Sequence, residues 1–182
     1  MIVRVTGNMI FEPEDKTRKH RNQASWKRAA MIVTQDDMSE YYAWFIRKRF
    51  SLQLNKPLRG AHVSIVNDAE RDFVNGVEPI WSKAKTKYHE KPMDFYIDLE
   101  PRSNGEHWWF RVYCPAGEDM REELGLSRDP FYSLHMTIGF ANEKNRAHSD
   151  YILDICKRHA ILSSEPKKPF NEHEIVNNFN IF

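Results

Sequence analysis

Cysteine is nearly missing: Cys114 and Cys156 are the two that 182 residues contain, and they form no Cys-x-x-Cys. That excludes a disulfide framework and a cysteine zinc site, and implies a reducing compartment with both thiols in the core. Charge of one sign is missing too. With 27 Lys and Arg against 26 Asp and Glu, the net charge is +1, so no uniformly basic surface for gripping long nucleic acid is required, although a local patch exists at Arg47-Lys48-Arg49. A small anionic ligand fits better. No apolar run reaches membrane-spanning length, and Met1 to Gly7 lack the unbroken apolar stretch of a secretory signal, so the expectation is a cytoplasmic protein without a membrane partner. There is no Gly-rich phosphate loop, no His-Glu-x-x-His and no Asp/His cluster with ligand spacing, so neither a metal nor another cofactor is expected. With 41% hydrophobic and 29% charged residues and no convincing linker, the chain reads as a single domain over residues 1–182.

What is present is one short pattern, twice. Gly60-Ala61-His62-Val63-Ser64-Ile65-Val66 and Ser133-Leu134-His135-Met136-Thr137-Ile138-Gly139 read almost alike, each with a His two positions before a hydroxyl. Both alternate as strands do: Val63 and Ile65 share one face and His62 and Ser64 the other, while Leu134, Met136 and Ile138 oppose Ser133, His135 and Thr137. The six remaining histidines, His20, His89, His107, His148, His159 and His173, lack the spacing. An imidazole beside a hydroxyl on a polar strand face moves a proton while the hydroxyl donates to a phosphate oxygen. Either motif alone reads as ordinary strand chemistry. Two in matching contexts point to one phosphate served from both sides, with His62, Ser64, His135 and Thr137 as the catalytic set.

The rest of the chain supplies an α+β frame. Strands are expected over 2–11 and 29–33, followed by a helix over 36–50 opened by Thr34-x-x-Asp37, with Met38, Tyr42, Phe45 and Ile46 as its buried stripe. The charged stretch Glu12 to Gln23 reads as an exposed loop that would serve as a flap. Phe73, Val77, Trp81, Ala84 and Tyr88 recur at helical spacing, restarting near Pro79. Strands over 93–99 and 107–114 flank a turn at Pro101-Arg102-Ser103-Asn104-Gly105. Helices near 118–125 and 145–159 and a weak strand over 175–182 complete the tally. In the hairpin, Trp108, Phe110, Val112 and Cys114 are expected inward, which leaves Trp109, Arg111 and Tyr113 beside Tyr96 on the open face. Aromatics there suit stacking on nucleotide bases, although an aromatic in a strand is more often packing.

The paired His-x-Ser/Thr strands resemble the active-site signature of the 2H phosphoesterase superfamily. In size and in the 73-position interval between His62 and His135, the chain is most similar to the phage anti-CBASS nucleases. The resemblance implies a two-lobed, pseudo-symmetric fold with mostly antiparallel sheets and flanking helices, one motif per lobe. It implies metal-independent cleavage of 3′-5′ bonds in cyclic di- and trinucleotide immune messengers, such as cyclic GMP-AMP, by attack of the adjacent 2′-OH. One His acts as base and the other as acid, in an order the sequence leaves open. The partner would be a cyclic oligonucleotide bound through Tyr96, Trp109, Arg111 and Tyr113, with Glu165 and Phe170 in a C-terminal lid; the setting would be an infected bacterial cell. Ser64 departs from the commoner Thr, keeping the donor and losing a methyl. Two other readings stay open: an RNA-repair enzyme acting on 2′,3′-cyclic phosphates or 2′-5′ bonds, and a non-catalytic nucleotide-binding module.

Overall fold

In chain order the elements are β1 (Ile2–Phe11), β2 (Ala30–Val33), α1 (Asp37–Phe50), β3 (His62–Val66), α2 (Glu78–Tyr88), β4 (Pro92–Ser103), β5 (His107–Tyr113), α3 (Pro115–Glu123), β6 (His135–Phe140), α4 (Glu143–Arg158) and β7 (Ile175–Val176). The computed structural model describes residues 1–13, 29–67, 78–130, 132–158 and 175–176. The expected flap beyond Pro13, the helical positions Phe73 and Val77, and the lid residues Glu165 and Phe170 lie outside these.

Length explains the role of β1. Ten residues reach past one neighbour, so Ile2 to Asn8 pair antiparallel with β4 and Asn8 to Phe11 pair antiparallel with β2. The strand order β2-β3-β6-β5-β4-β1 is thereby closed by the β1–β2 pairing into a six-stranded antiparallel barrel, and β7 adds in parallel at Ile2 and Val3. Gly7 sits at the handover between the two partners. A Cβ there would lie 2.5 Å from Ile32 Cγ2 and 2.6 Å from the Val33 carbonyl oxygen. Gly7→Ala is therefore expected to destabilise the fold by about 1–3 kcal/mol, the usual cost of overpacking; a melting temperature equal to wild type would show that the seam yields freely.

The strand alternation builds one buried cluster in which Val63, Phe95, Ile97, Phe110 and Met136 are at most 1% exposed. Each such side chain contributes roughly 1.5–3 kcal/mol by leaving water. Three helices meet this apolar face. Tyr42 of α1 packs edge-on against Phe110 with ring centroids 4.7 Å apart. The buried Trp108 indole N–H donates to Ser149 Oγ of α4 at 2.9 Å. Gly117 of α3 lies so close to Ile65 that a Cβ would come within 2.9 Å of Ile65 Cδ1. On the same helix, Arg121, only 2% exposed, donates to the carbonyls of Ile65 at 2.6 Å and Ser127 at 2.7 Å. The end of β3 is thus braced, and the residues between these apolar positions are turned the other way.

Both cysteines are free and buried. Burial pushes the Cys114 thiol up to about 12, which leaves it inert as a nucleophile.

Two local expectations are corrected. The N-cap of α1 is Asp36 rather than Thr34, and it makes no side-chain cap hydrogen bond; its carboxylate accepts instead from the Ala61 N–H at 2.5 Å. Phe45 is 39% exposed, because the helix presents Ile46 and, partly, Met38 and Tyr42 to the core. The β4–β5 hairpin is also longer than its alternation suggests. β4 runs through Pro101 to Ser103 by means of a register shift between Asp98 and Arg102, the irregularity that a proline within a strand marks.

Candidate active site

The two motif strands are neighbours. β3 and β6 pair antiparallel with Val63 opposite Met136, both buried. In an antiparallel pair the residues on either side of that centre cross over, so His62 faces Thr137 and Ser64 faces His135. A local two-fold through the Val63/Met136 pair relates the two units. Directly opposed residues have Cβ atoms about 4.5–5.5 Å apart and diagonal ones stand about 7–8 Å apart; the second spacing applies to the two histidines.

Pairing extends the row. On β5, Arg111 is opposite His135 and Trp109 opposite Thr137. On β4, Tyr96 is opposite Tyr113, Asp98 opposite Arg111, and Arg102 opposite Trp109. Two lanes therefore run across the face, His135, Arg111 and Asp98 in one and Thr137, Trp109 and Arg102 in the other, with His62 and Ser64 on the adjoining strand β3.

Both imidazoles are oriented in the same way. His62 Nδ1 lies 2.9 Å from the carbonyl oxygen of Gly60, and His135 Nδ1 lies 2.8 Å from that of Ser133. A carbonyl only accepts, so Nδ1 carries the hydrogen in each neutral ring and Nε2 is the atom that exchanges a proton. The Gly60 carbonyl is itself fixed. Gly60 has φ +69°, and a Cβ there would lie 2.8 Å from Asp36 Oδ1, the atom that holds the following N–H of Ala61. Glycine supplies this left-handed turn against the carboxylate without strain.

Burial holds His62 below the usual histidine range, and the charges of Arg59 and His135 push the same way, against the Gly60 carbonyl and Asp36. Two results are expected. Nitrogen NMR of the neutral protein will show His62 and His135 as Nδ1–H tautomers; an Nε2–H signal from either would contradict the geometry. His62 will also titrate below 6.5, its ordinary value. In the interval between its folded value and 6.5 the unfolded chain binds a proton that the folded chain refuses. The stabilisation is therefore fully present above that interval and is lost as the pH falls through it.

A cavity of about 680 Å³ opens on this face, lined by residues that include Arg102, Trp109, Arg111, Tyr132, His135 and Thr137. Among the described residues, its lining contains no carboxylate. His62 and Ser64 adjoin from β3 rather than lining it. Tyr96 and Tyr113 are half-buried on the same face beyond Arg111 and lie outside the lining. Among the described residues, no group of three or more His, Cys, Asp or Glu is placed to hold a metal ion, and no helix is long and apolar enough to cross a membrane.

Four lining residues escape the sequence pattern: Arg102, Asn104, His107 and Tyr132. Pro101 was the available signal for Arg102, because a bulge that absorbs the proline carries the strand onward and brings Arg102 level with Trp109. Asn104 does make the expected turn, its Oδ1 accepting from the N–H groups of Glu106 at 3.0 Å and His107 at 2.8 Å. Nothing in the pattern marks Tyr132.

Comparison with family models, with curated proteins and with solved structures finds no match to the chain.

Proposed function

We propose that this chain is a phosphodiesterase of the 2H phosphoesterase type, working without a metal on cyclic di- and trinucleotide messengers of bacterial immunity, as phage anti-CBASS nucleases do. The observation that carries the reading is the antiparallel pairing of the two motif strands at Val63 and Met136, a geometry that directs His62 toward Thr137 and His135 toward Ser64. On this reading the two motif strands are the symmetry-related halves of a two-lobed 2H fold. A phosphate between them meets an imidazole and a hydroxyl from each side.

His62 takes the base's part, since burial favours its neutral form. Its Nε2 removes the proton of the ribose 2′-OH as that oxygen bonds to the adjacent phosphorus. The bond from phosphorus to O5′ breaks, and His135 Nε2–H delivers its proton to the departing oxygen. The ring opens to a linear chain ending in a 2′,3′-cyclic phosphate, with one proton gained by His62 and one lost by His135. Ser64 and Thr137 donate to the non-bridging oxygens as charge develops there. Arg111, opposite His135 in register, adds a permanent positive charge on the same side. Trp109, opposite Thr137, offers a face for a base, where stacking contributes about 1–3 kcal/mol in single-strand sites.

The test is product analysis in EDTA with 3′,3′-cyclic GMP-AMP, a cyclic triadenylate, a 2′,3′-cyclic mononucleotide and a 2′-5′ oligoadenylate. Linearised rings are expected. Cleavage confined to the last two substrates would make the protein an RNA-end enzyme, and retained ligand without turnover would make it a binding module.

A further inference from the structure

We infer that the Arg102 end of the cavity is a second anion subsite, holding a phosphate other than the one being cleaved; the inference rests on the scissile phosphate lying between His62 and His135. Among the described residues, the lining carries Arg102, Arg111, His107 and His135 and no carboxylate, a set that favours negative charge. Arg102 is the member with an unmet requirement. Its side chain is only 15% exposed, and its Nε has no hydrogen-bond partner among the described residues. Its ion-pair partner, Asp98, stands 3.9 Å from Nη2, beyond hydrogen-bond distance. A guanidinium presents five donors in a planar fork matched to phosphate oxygens, and a phosphate would supply the acceptor that is lacking. Asn104 borders the same end. Its Oδ1 is taken by the turn, which leaves its amide nitrogen as a further donor.

The position selects the ligand. Arg102 is opposite Trp109, which is opposite Thr137; two strand spacings put it about 10 Å from the β6 backbone. A mononucleotide with a single phosphate at the histidines leaves Arg102 empty. A dinucleotide, ring or chain, spans the interval with a base over Trp109 and a second phosphate on Arg102. The site is thus built for substrates with at least two phosphates.

Calorimetry with 2′-deoxy ligands, which lack the attacking hydroxyl, separates this from turnover. The probes are a linear deoxydinucleotide with only its internucleotide phosphate and the same molecule with an added 5′-phosphate. The wild-type protein is expected to bind the two-phosphate probe more tightly. Arg102→Gln is expected to lose about 10–100-fold of affinity for that probe, the scale of a charge-assisted hydrogen bond, and to bind the one-phosphate probe as wild type does. That second binding shows the variant to be folded; Arg102→Lys should fall between. Equal wild-type affinity for both probes, or an equal loss for both in Arg102→Gln, would overturn the subsite. Cleavage of a cyclic ribodinucleotide by the wild type, assayed separately in EDTA, reports on the catalytic reading whichever way the binding comes out.

Discussion

On the proposed function, exchange of either His62 or His135 for alanine is expected to lower turnover of a cyclic dinucleotide by about 10²–10⁴-fold, the contribution of a positioned proton-transfer group. With base and acid acting in one step, as proposed, the two losses should not add, and the double variant should be little worse than the poorer single one. Folding should survive, since both rings lie on the face away from the core and their hydrogen bonds reach just two residues back along the chain. Rates are to be measured in EDTA with melting curves alongside. A variant that kept near-normal rates would sink the paired mechanism, whatever the fold.

Phe110→Ala carries the largest expected effect on stability. The ring is fully buried, lies opposite Met136 and meets Tyr42 edge-on, so its removal opens a cavity where β5, β6 and α1 meet. A loss of about 3–5 kcal/mol is expected, the usual cost of truncating a core aromatic, read as a fall in the denaturation midpoint. Phe110 stands between Trp109 and Arg111, and β6 opposite it carries His135 and Thr137. At temperatures where the variant is still folded, activity should therefore decline as well. A midpoint near that of wild type would mean that α1 collapses into the space.

The polar face that carries the candidate site was legible because a strand's period of two survives any tertiary context. Alternation around Val63, Met136 and Phe110 assigns His62, Ser64, His135, Thr137, Trp109 and Arg111 to one side, and their burial pattern follows it. Adjacency was not legible. Nothing local says that residues 73 positions apart pair at Val63 and Met136, or that β1 changes partner at Gly7 and Asn8 to close the barrel; those are long-range choices set by packing. The capping of α1 failed for a similar reason. Asp36 has its carboxylate committed to Ala61, 25 residues away, and a local cap rule does not see that competitor. Arg102 was missed because the bulge shifts the strand register after Asp98.

The most direct measurement of the central claim is the first product formed from 3′,3′-cyclic GMP-AMP in EDTA, analysed at early times in water enriched in heavy oxygen. Attack by the 2′-OH, with the protons passed between two histidines, predicts a linear dinucleotide isomeric with the ring. It would end in a 2′,3′-cyclic phosphate, free of solvent oxygen, and be absent from His62→Ala. A ring left intact in EDTA, or opened equally by His62→Ala, would contradict the account.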